Sequence, residues 1–520
     1  MHDVKIFDTT LRDGQQGKGI SFTVEDKIKI AKLLDANGVS YIEGGWPGAS
    51  PKVEAFFKEI KNVELKNAKM VAFGSTRRAS NSAEEDVFLN KIVQSGAPVA
   101  CIFGKSWDLH VHEALKISLE ENLDVIESSI AYLKKSGLEV FFDAEHFFDG
   151  YKRNPEYAIK CLQAAEAGGA EVLVLCDTNG GTMPFEVSEI IEAIKPQLST
   201  ALGIHAHNDC ELAVANSLTA VKHGAVQVQG TINGFGERCG NANLCSIIPS
   251  LKLKMGADIV SDEQLQALSS LSHHVYEIAN LSPIDSQAYV GKNAFAHKGG
   301  VHVSAILKNP ETYEHIRPEL VGNKQEVTIS DQSGLSNLIY KAEKFGIEID
   351  PKDPKLKSLV QRTKELEKMG FTFEEGEASF ELLMRRKLGL FDRSFELLGF
   401  RVIDEKRGHD EEVIVEATVK VDVNGTIYHT AAEGEGPVDA LNKALRKVLE
   451  VHFPQLSSTF LTDYKVRVLN SEKGTSSNVR VLIETTDGKK TWGTLGVSAN
   501  LIEATWKALI DAIEYKILKG

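Results

Sequence analysis

Residues 7–19 read FDTTLRDGQQGKG. The apolar run Val4–Phe7 leading into this stretch has the character of a strand, and the glycines after it make a loop. Arg12 and Asp13 therefore stand side by side at the carboxyl end of a first strand. One is a cation and the other a carboxylate able to hold a metal. Working outward, residues 203–209 read GIHAHND. On a strand, His205 and His207 point the same way, because side chains alternate. Between and around these two stretches, short apolar runs recur. They are Val4–Phe7, Tyr41–Glu43, Met70–Phe73, Val99–Phe103, Glu139–Phe142, Val172–Cys176, Gly203–Ala206 and Val226–Ile232. A spacing of roughly 25 to 40 residues is what βα units require. Amphipathic helices fit between them, for example over Val24–Asn37, opening after Thr23 and closing at Gly38, and over Asn154–Ala167. Eight such units predict an α/β fold, a (β/α)₈ barrel.

In that fold chemistry sits where the strands end. The polar residues expected there are Arg12, Asp13, Glu43, Glu145, Asp177, Thr178, His205, His207 and Asn241. A histidine pair alone is commonly structural. Here a carboxylate loop and GERCGNAN (236–243, with Phe235 before it) fall at neighbouring strand ends. That neighbourhood predicts a divalent metal held by Asp13, His205 and His207, with Asn241 completing or flanking the set. Mixed nitrogen and oxygen ligands suit Zn²⁺, Mn²⁺ or Mg²⁺-class ions. The planar guanidinium of Arg12 is suited to stabilising an oxyanion beside the metal. Thr178 is placed to hydrogen-bond a substrate carboxylate, or else caps a turn. Glu145 is either a solvated rim carboxylate or an acid–base group. The glycines of the last motif lack the spacing of a phosphate-binding loop and read as a tight turn.

The 520 residues exceed one ordinary core and predict two or three domains. We expect a barrel over 1–281, helical linker subdomains over 282–390 and a C-terminal domain over 391–520. NAFAHKGGVHVSAI in the linker reads as a loop, followed by helical segments such as Leu356–Met369. The C-terminal region is strand-rich, and two of its blocks look alike: VDVNGTIYHTAAEGEGPVDALNKAL and IETTDGKKTWGTLGVSANLIEATWKAL. Each reads strand, turn, strand, small-residue loop, helix, which predicts two similar β-β-β-α halves. Asn424–Gly425 and Asp487–Gly488 are hairpin signals. The loops at Gly434–Gly436 and Gly496–Ala499 would let an amino acid approach the backbone between the halves, near helix N-termini. The halves would also supply a dimer interface.

A net charge of −14 argues against a broad nucleic-acid surface. No apolar run approaches the roughly 20 residues that span a bilayer, so no membrane partner is expected. MHDVKIFDTT lacks the layout of a signal peptide. The 6 cysteines form no CxxC pair and suit a reducing cytoplasm.

TLRDG, HAHND and GERCGNAN, in this order on such a barrel, resemble the metal-dependent superfamily of isopropylmalate, homocitrate and citramalate synthases and related lyases. FAHKGGVHVSAI followed by YEHIRPELVG is similar to the synthases' small subdomain, which the shorter lyases lack. Residues 391–520 resemble the isopropylmalate synthase regulatory domain. GGWPGASPK (44–52) is most similar to the long citramalate synthases. The resemblance implies an acyltransferase that condenses acetyl-CoA with a 2-oxo acid and hydrolyses the thioester. For the citramalate branch the acid is pyruvate and the route leads toward isoleucine, the implied feedback inhibitor. It further implies a homodimer, and Glu145, His302 and Tyr313 as proton-handling groups, the last two reaching a barrel mouth from the partner subunit. Composition alone would place His302 and Tyr313 at the surface. Condensation with 2-oxoisovalerate or homocitrate synthesis, carbon–carbon cleavage, and a non-catalytic sensor on the same barrel are the competing readings.

Overall fold

The structure is a computed structural model that describes residues 4–330, 332–469 and 477–520. Eight parallel strands close into a barrel in chain order: β1 Lys5–Asp8, β2 Tyr41–Gly45, β3 Lys69–Ser75, β4 Val99–Lys105, β5 Glu139–Glu145, β6 Val172–Asp177, β7 Ala201–Ala206 and β8 Gln227–Gly230. β1 pairs with β8 through Phe7 and Gln229, among others, which removes both sheet edges. All eight expected runs become strands. Alternation then divides their side chains. Phe7, Val71, Cys101, Phe141 and Val174 fill the barrel, while Ile6, Ile42, Ala72 and Phe142 pack outward under the helices. The first helix, Val24–Ala36, opens with a reciprocal cap between Thr23 and Asp26. Asn154 caps the helix Pro155–Ala167. The eighth strand is shorter than its apolar run. Past Gly230 the chain turns away, because Thr231 exchanges backbone hydrogen bonds with Ala242 and Leu244.

The chain forms two compact units. One runs to Phe295 and includes Ile316–Lys324; the other comprises Ala296–His315 and Gln325–Gly520. In the second unit, the glycine-rich stretch expected to be a loop contains the short strand β9 Ala296–His297 and a helix, Gly300–Ile306. Burial of Val303 and Ile306 drives that helix, and β10 Glu326–Val327 pairs with β9. The helix Pro354–Lys368 follows. The C-terminal repeat is two β-β-β-α halves. The first is β11 Glu396–Glu405, β12 Ile414–Val423, β13 Thr426–Gly434 and a helix, Pro437–His452. The second is β14 Phe460–Val468, β15 Val479–Thr486, β16 Thr491–Ser498 and a helix, Leu501–Lys519. Asn424 and Gly425, with φ of 54° and 81°, make the tight turn between β12 and β13.

The small-residue positions singled out at 434, 436 and 496 differ in role. A Cβ on Gly434 would lie 2.3 Å from the Ala440 nitrogen, and one on Gly496 would lie 2.0 Å from the Ala504 oxygen. Both glycines let a strand lie against its own helix, so the loop-for-ligand argument does not hold for them. Gly436 alone faces open space.

Candidate active site and metal centre

Each functional side chain sits at the carboxyl end of a barrel strand. Arg12, Asp13, Glu145, Thr178, His205 and His207 line one cavity of about 440 Å³. Asp13 Oδ2 lies 3.5 Å from His205 Nε2 and 3.9 Å from His207 Nε2, and the two imidazole nitrogens are 3.4 Å apart. An ion held about 2.1 Å from each ligand needs ligand atoms roughly 3.0–3.5 Å apart, so the three atoms are near a coordination triangle. All three residues are buried. Asp13 Oδ1 has no hydrogen-bond partner among the described residues, nor has Asn241 Oδ1. Two buried, unsatisfied oxygens beside two imidazoles are costly unless a cation takes them up. The donor set therefore fits a divalent ion. Asn241 joins His207 in an isolated β-bridge, and its amide donates to the Phe235 carbonyl at 3.0 Å, leaving the oxygen free.

Charge states suit the same ion. Burial pushes the Asp13 carboxyl up, but Arg12 and the two imidazoles more than reverse this and hold it well below the carboxylate range. Burial and the neighbouring His205 bring His207 down to about 4, so it is neutral at pH 7 and free to act as a ligand. His205 Nδ1 lies 2.8 Å from the Gln229 amide oxygen. An amide oxygen only accepts, so Nδ1 carries a proton and Nε2 is the nitrogen turned to Asp13 and His207, the one that would bind an ion. Without an ion, burial pushes His205 down, but the Asp13 carboxylate more than reverses this and raises it above the ordinary imidazole value, so metal binding there would release a proton. The Gln229 nitrogen in turn donates to Asp143 Oδ1 at 3.0 Å, which fixes the amide orientation.

Arg12 is held on three sides. Its Nε donates to Glu43 Oε2 at 2.6 Å and one terminal nitrogen to Asp13 Oδ2 at 3.2 Å. Its guanidinium carbon lies 3.8 Å from the centre of the Phe73 ring. Burial pushes Glu43 up to about 7, and Arg12 opposes that shift. The cation thus stands preorganised beside the metal ligands. The Thr178 hydroxyl accepts the His146 amide at 2.9 Å, leaving its own proton to donate into the cavity. Glu145 is paired with Lys105. Trp46, Phe73 and Phe103 wall one side, with the indole edge-on to both phenyl rings at 6.0 and 5.7 Å. His302 and Tyr313 belong to the second unit, where both are exposed and stack on each other at 4.2 Å. They are not among the residues lining this cavity.

Sequence reasoning missed Gln229, Lys105 and Trp46. The signal for Gln229 was present: in QVQG both glutamines fall on the inward-facing phase of β8, where an apolar barrel would not place them.

Residues 3–275 match the family described as HMGL-like. The chain belongs to that family. Residues 289–370 match the homocitrate synthase post-HMGL domain-like family, and residues 375–517 the LeuA allosteric (dimerisation) domain. Relatives align along the whole HMGL-like chain. An (R)-citramalate synthase of Geobacter sulfurreducens is 60% identical, covering 99% of this chain and 98% of its own. One of Aquifex aeolicus is 57% identical, covering 99% and 98%. A 2-isopropylmalate synthase of Methanocaldococcus jannaschii is 33% identical, covering 99% and 95%. Within the family the chain belongs with the citramalate synthases.

Proposed function

We infer that the chain is an acyltransferase of the citramalate synthase type, which joins acetyl-CoA to pyruvate and hydrolyses the thioester to release citramalate and CoA. Full-length identity of 60% to an (R)-citramalate synthase carries this reading. The cavity supports it with residues suited to each part of the reaction. Asp13, His205 and His207, with Asn241 beside them, would hold a divalent ion, which would supply Lewis-acid polarisation of a keto group. Arg12, fixed by Glu43 and Phe73, stabilises the negative charge that develops on the former keto oxygen. Thr178 donates to the oxo-acid carboxylate. Glu145, beside Lys105, moves the proton that leaves the acetyl methyl group, and His302 and Tyr313 are the further proton-handling candidates. The methyl carbon then bonds to the keto carbon, the oxyanion takes a proton, and water cleaves the thioester. Trp46, Phe73 and Phe103, which wall one side of the cavity, are the side chains assigned here to limiting the size of the oxo acid.

The LeuA allosteric (dimerisation) match supports a homodimer that binds an amino-acid effector. Among the described residues, a cavity of about 310 Å³ lies between the two C-terminal halves, lined by Val438, Leu461, Leu509 and Ile513 with Asn442 and Arg446. Its apolar wall suits an aliphatic side chain, and isoleucine is the proposed effector. Among the described residues no helix is long and apolar enough to cross a membrane. Six free cysteines fit the reducing cytoplasm proposed for the chain.

The test is CoA release with a panel of 2-oxo acids, in the presence of Mn²⁺ and after chelation. Pyruvate should give the highest kcat/KM and chelation should abolish turnover. A higher value for 2-oxoisovalerate would make the enzyme an isopropylmalate synthase, and full activity in a sample shown metal-free by elemental analysis would refute the metal assignment.

A further inference from the structure

Lys27 is fully buried, yet the reaction inferred above makes no use of it. It lies on the buried face of the helix Val24–Ala36. Its ammonium makes one hydrogen bond among the described residues, to the Gly44 carbonyl at 3.1 Å, and no described carboxylate pairs with it. The Phe56 ring centre is 5.6 Å away. Burial brings Lys27 down to about 8, with Lys52 adding to that shift and Glu43 opposing it, so the group is still charged at pH 7. A buried cation whose one partner is a carbonyl is costly, and a helix on a barrel is ordinarily held by apolar packing.

The reason for a cation here lies in β2. Its register with β3 pairs Glu43 with Val71 and Gly45 with Ala72, so Gly44 is skipped and the strand bulges there. Bulges re-aim the side chains beside them. Glu43 keeps its ladder partner, but Trp46, just past the bulge, has none and walls the oxo-acid cavity. The bend itself admits only glycine. A Cβ on Gly44 would lie 2.5 Å from Phe56 Cε1, and Gly45 has a φ of 139° with its Cβ position 3.1 Å from Val53 Cγ1. Two glycines make the bend without stiffening it, since glycine has the most backbone freedom to lose. Nor is Trp46 fixed by a polar contact, because its indole nitrogen is buried with no partner among the described residues. Edge-on packing against Phe73, Phe88 and Phe103 bounds the ring, and its entry angle is left to the backbone.

We propose that Lys27 is a positioning residue for substrate size: by holding the bulge carbonyl of Gly44 from behind the barrel wall, it fixes the bend that aims Trp46 into the cavity. The proposal rests on the reaction inferred above for the acids that are compared. Lys27 touches no substrate itself, and it acts through the two glycines and the indole.

The experiment measures kcat/KM for 2-oxobutanoate and for pyruvate on the full chain, on Lys27→Met, and on Trp46→Ala with and without Lys27→Met. Methionine keeps an apolar stem and removes the ammonium. In Lys27→Met the preference should move toward 2-oxobutanoate by about fivefold, within what one methylene is worth in an apolar pocket. In the Trp46→Ala background the same change should leave the ratio unmoved, because the effect passes through that ring. Acrylamide quenching of the Trp46 emission, taken as the difference from Trp46→Phe, should rise in Lys27→Met without any substrate present. A lysine that serves the fold alone would alter the melting temperature and leave the ratio and the quenching as they are. That result in folded Lys27→Met overturns the assignment, as does a shift of the ratio that persists without Trp46. If Lys27→Met does not fold, Lys27→Gln, an amide donor on a shorter stem, takes its place with the same expectations. Failure of both to fold shows that the ammonium serves the fold and also overturns the assignment. If the wild type turns over no 2-oxo acid, the condensation reading fails, and the quenching comparison alone decides the role of Lys27.

Discussion

Gln229 shows how much a single neutral side chain decides. It has no charge and does not reach the proposed ion, yet it sets which nitrogen of His205 is free. Partners of this kind typically change metal affinity by about 10–100-fold when removed. Gln229→Leu should therefore weaken Mn²⁺ binding by at least about tenfold in a calorimetric titration of the folded protein, with an unaltered circular dichroism spectrum. Equal affinities would show that His205 is oriented by packing alone. Asp8 illustrates the cost of burying a carboxyl. It is fully buried on Thr10, and burial pushes it up to about 7 against the two Thr10 hydrogen bonds. A folded-state value raised above the ordinary 3.8 means that the neutral form is favoured in the fold. The stabilisation is complete below about pH 4 and is lost as pH rises through about 7. Asp8→Asn should remove that slope, so its melting temperature should gain on the wild type as pH rises from about 4 to about 7, with no further gain above that. Parallel curves for the two proteins would refute the shift.

At the level of elements, the C-terminal halves depend on how closely a strand can approach its helix. Gly496 in β16 has φ in the ordinary range, so conformational freedom is not the reason for glycine there. The reason is space, since a Cβ would meet the Ala504 carbonyl oxygen. Overpacking of this kind typically costs about 1–3 kcal/mol. Gly496→Ala should lower stability by that amount in urea unfolding, whereas Gly436→Ala, with nothing within 4 Å and an extended backbone, should change it by less than about 0.5 kcal/mol. Equal effects would show that the close approach is relieved by a small shift of the helix. Burial also explains the helix Gly300–Ile306. Glycines weaken a helix locally, but Val303 and Ile306 fall one turn apart and are covered on one face.

At the scale of the whole molecule, the barrel brings side chains from several strand ends onto one substrate. Trp46 follows β2, Phe73 lies on β3 and Phe103 on β4. A hydrophobic wall discriminates by only about 1–3 kcal/mol per methylene, so one wall residue should be enough to shift preference. Phe103→Ala is expected to raise kcat/KM for 2-oxobutanoate relative to pyruvate by about tenfold or more. Phe73→Leu, which also removes the ring beneath Arg12, should lower kcat for both acids. An unchanged ratio in Phe103→Ala would place the specificity wall elsewhere. For the effector, isoleucine should lower the rate of the full chain, and Ile513→Arg, which fills the cavity between the halves, should abolish that inhibition without altering the uninhibited rate. Inhibition that persists in Ile513→Arg would move the effector site away from this cavity.

What the sequence determined by itself was local or periodic. Eight apolar runs at βα spacing point to strands, Thr23 to a helix start, and Asn424–Gly425 to a hairpin turn. Alternation in GIHAHND puts two imidazoles on one side of a strand, and Arg12–Asp13 follow a strand by adjacency. The repeated C-terminal blocks announced two similar halves for the same reason. Tertiary structure alone decided the relations across strands. Gln229 reaches His205 because β7 and β8 place those two residues directly opposite each other, a register that closure of the barrel imposes. Glu43 meets Arg12 across 31 residues of chain, and Trp46 meets Phe103 across two strands. The glycine at 496 reads as flexible in isolation and proves to be a spacer once its helix is in place. Side-chain periodicity is set by bonded neighbours and so is written along the chain. Partner identity across a sheet depends on which strands adjoin and in what register, which only the closed fold supplies.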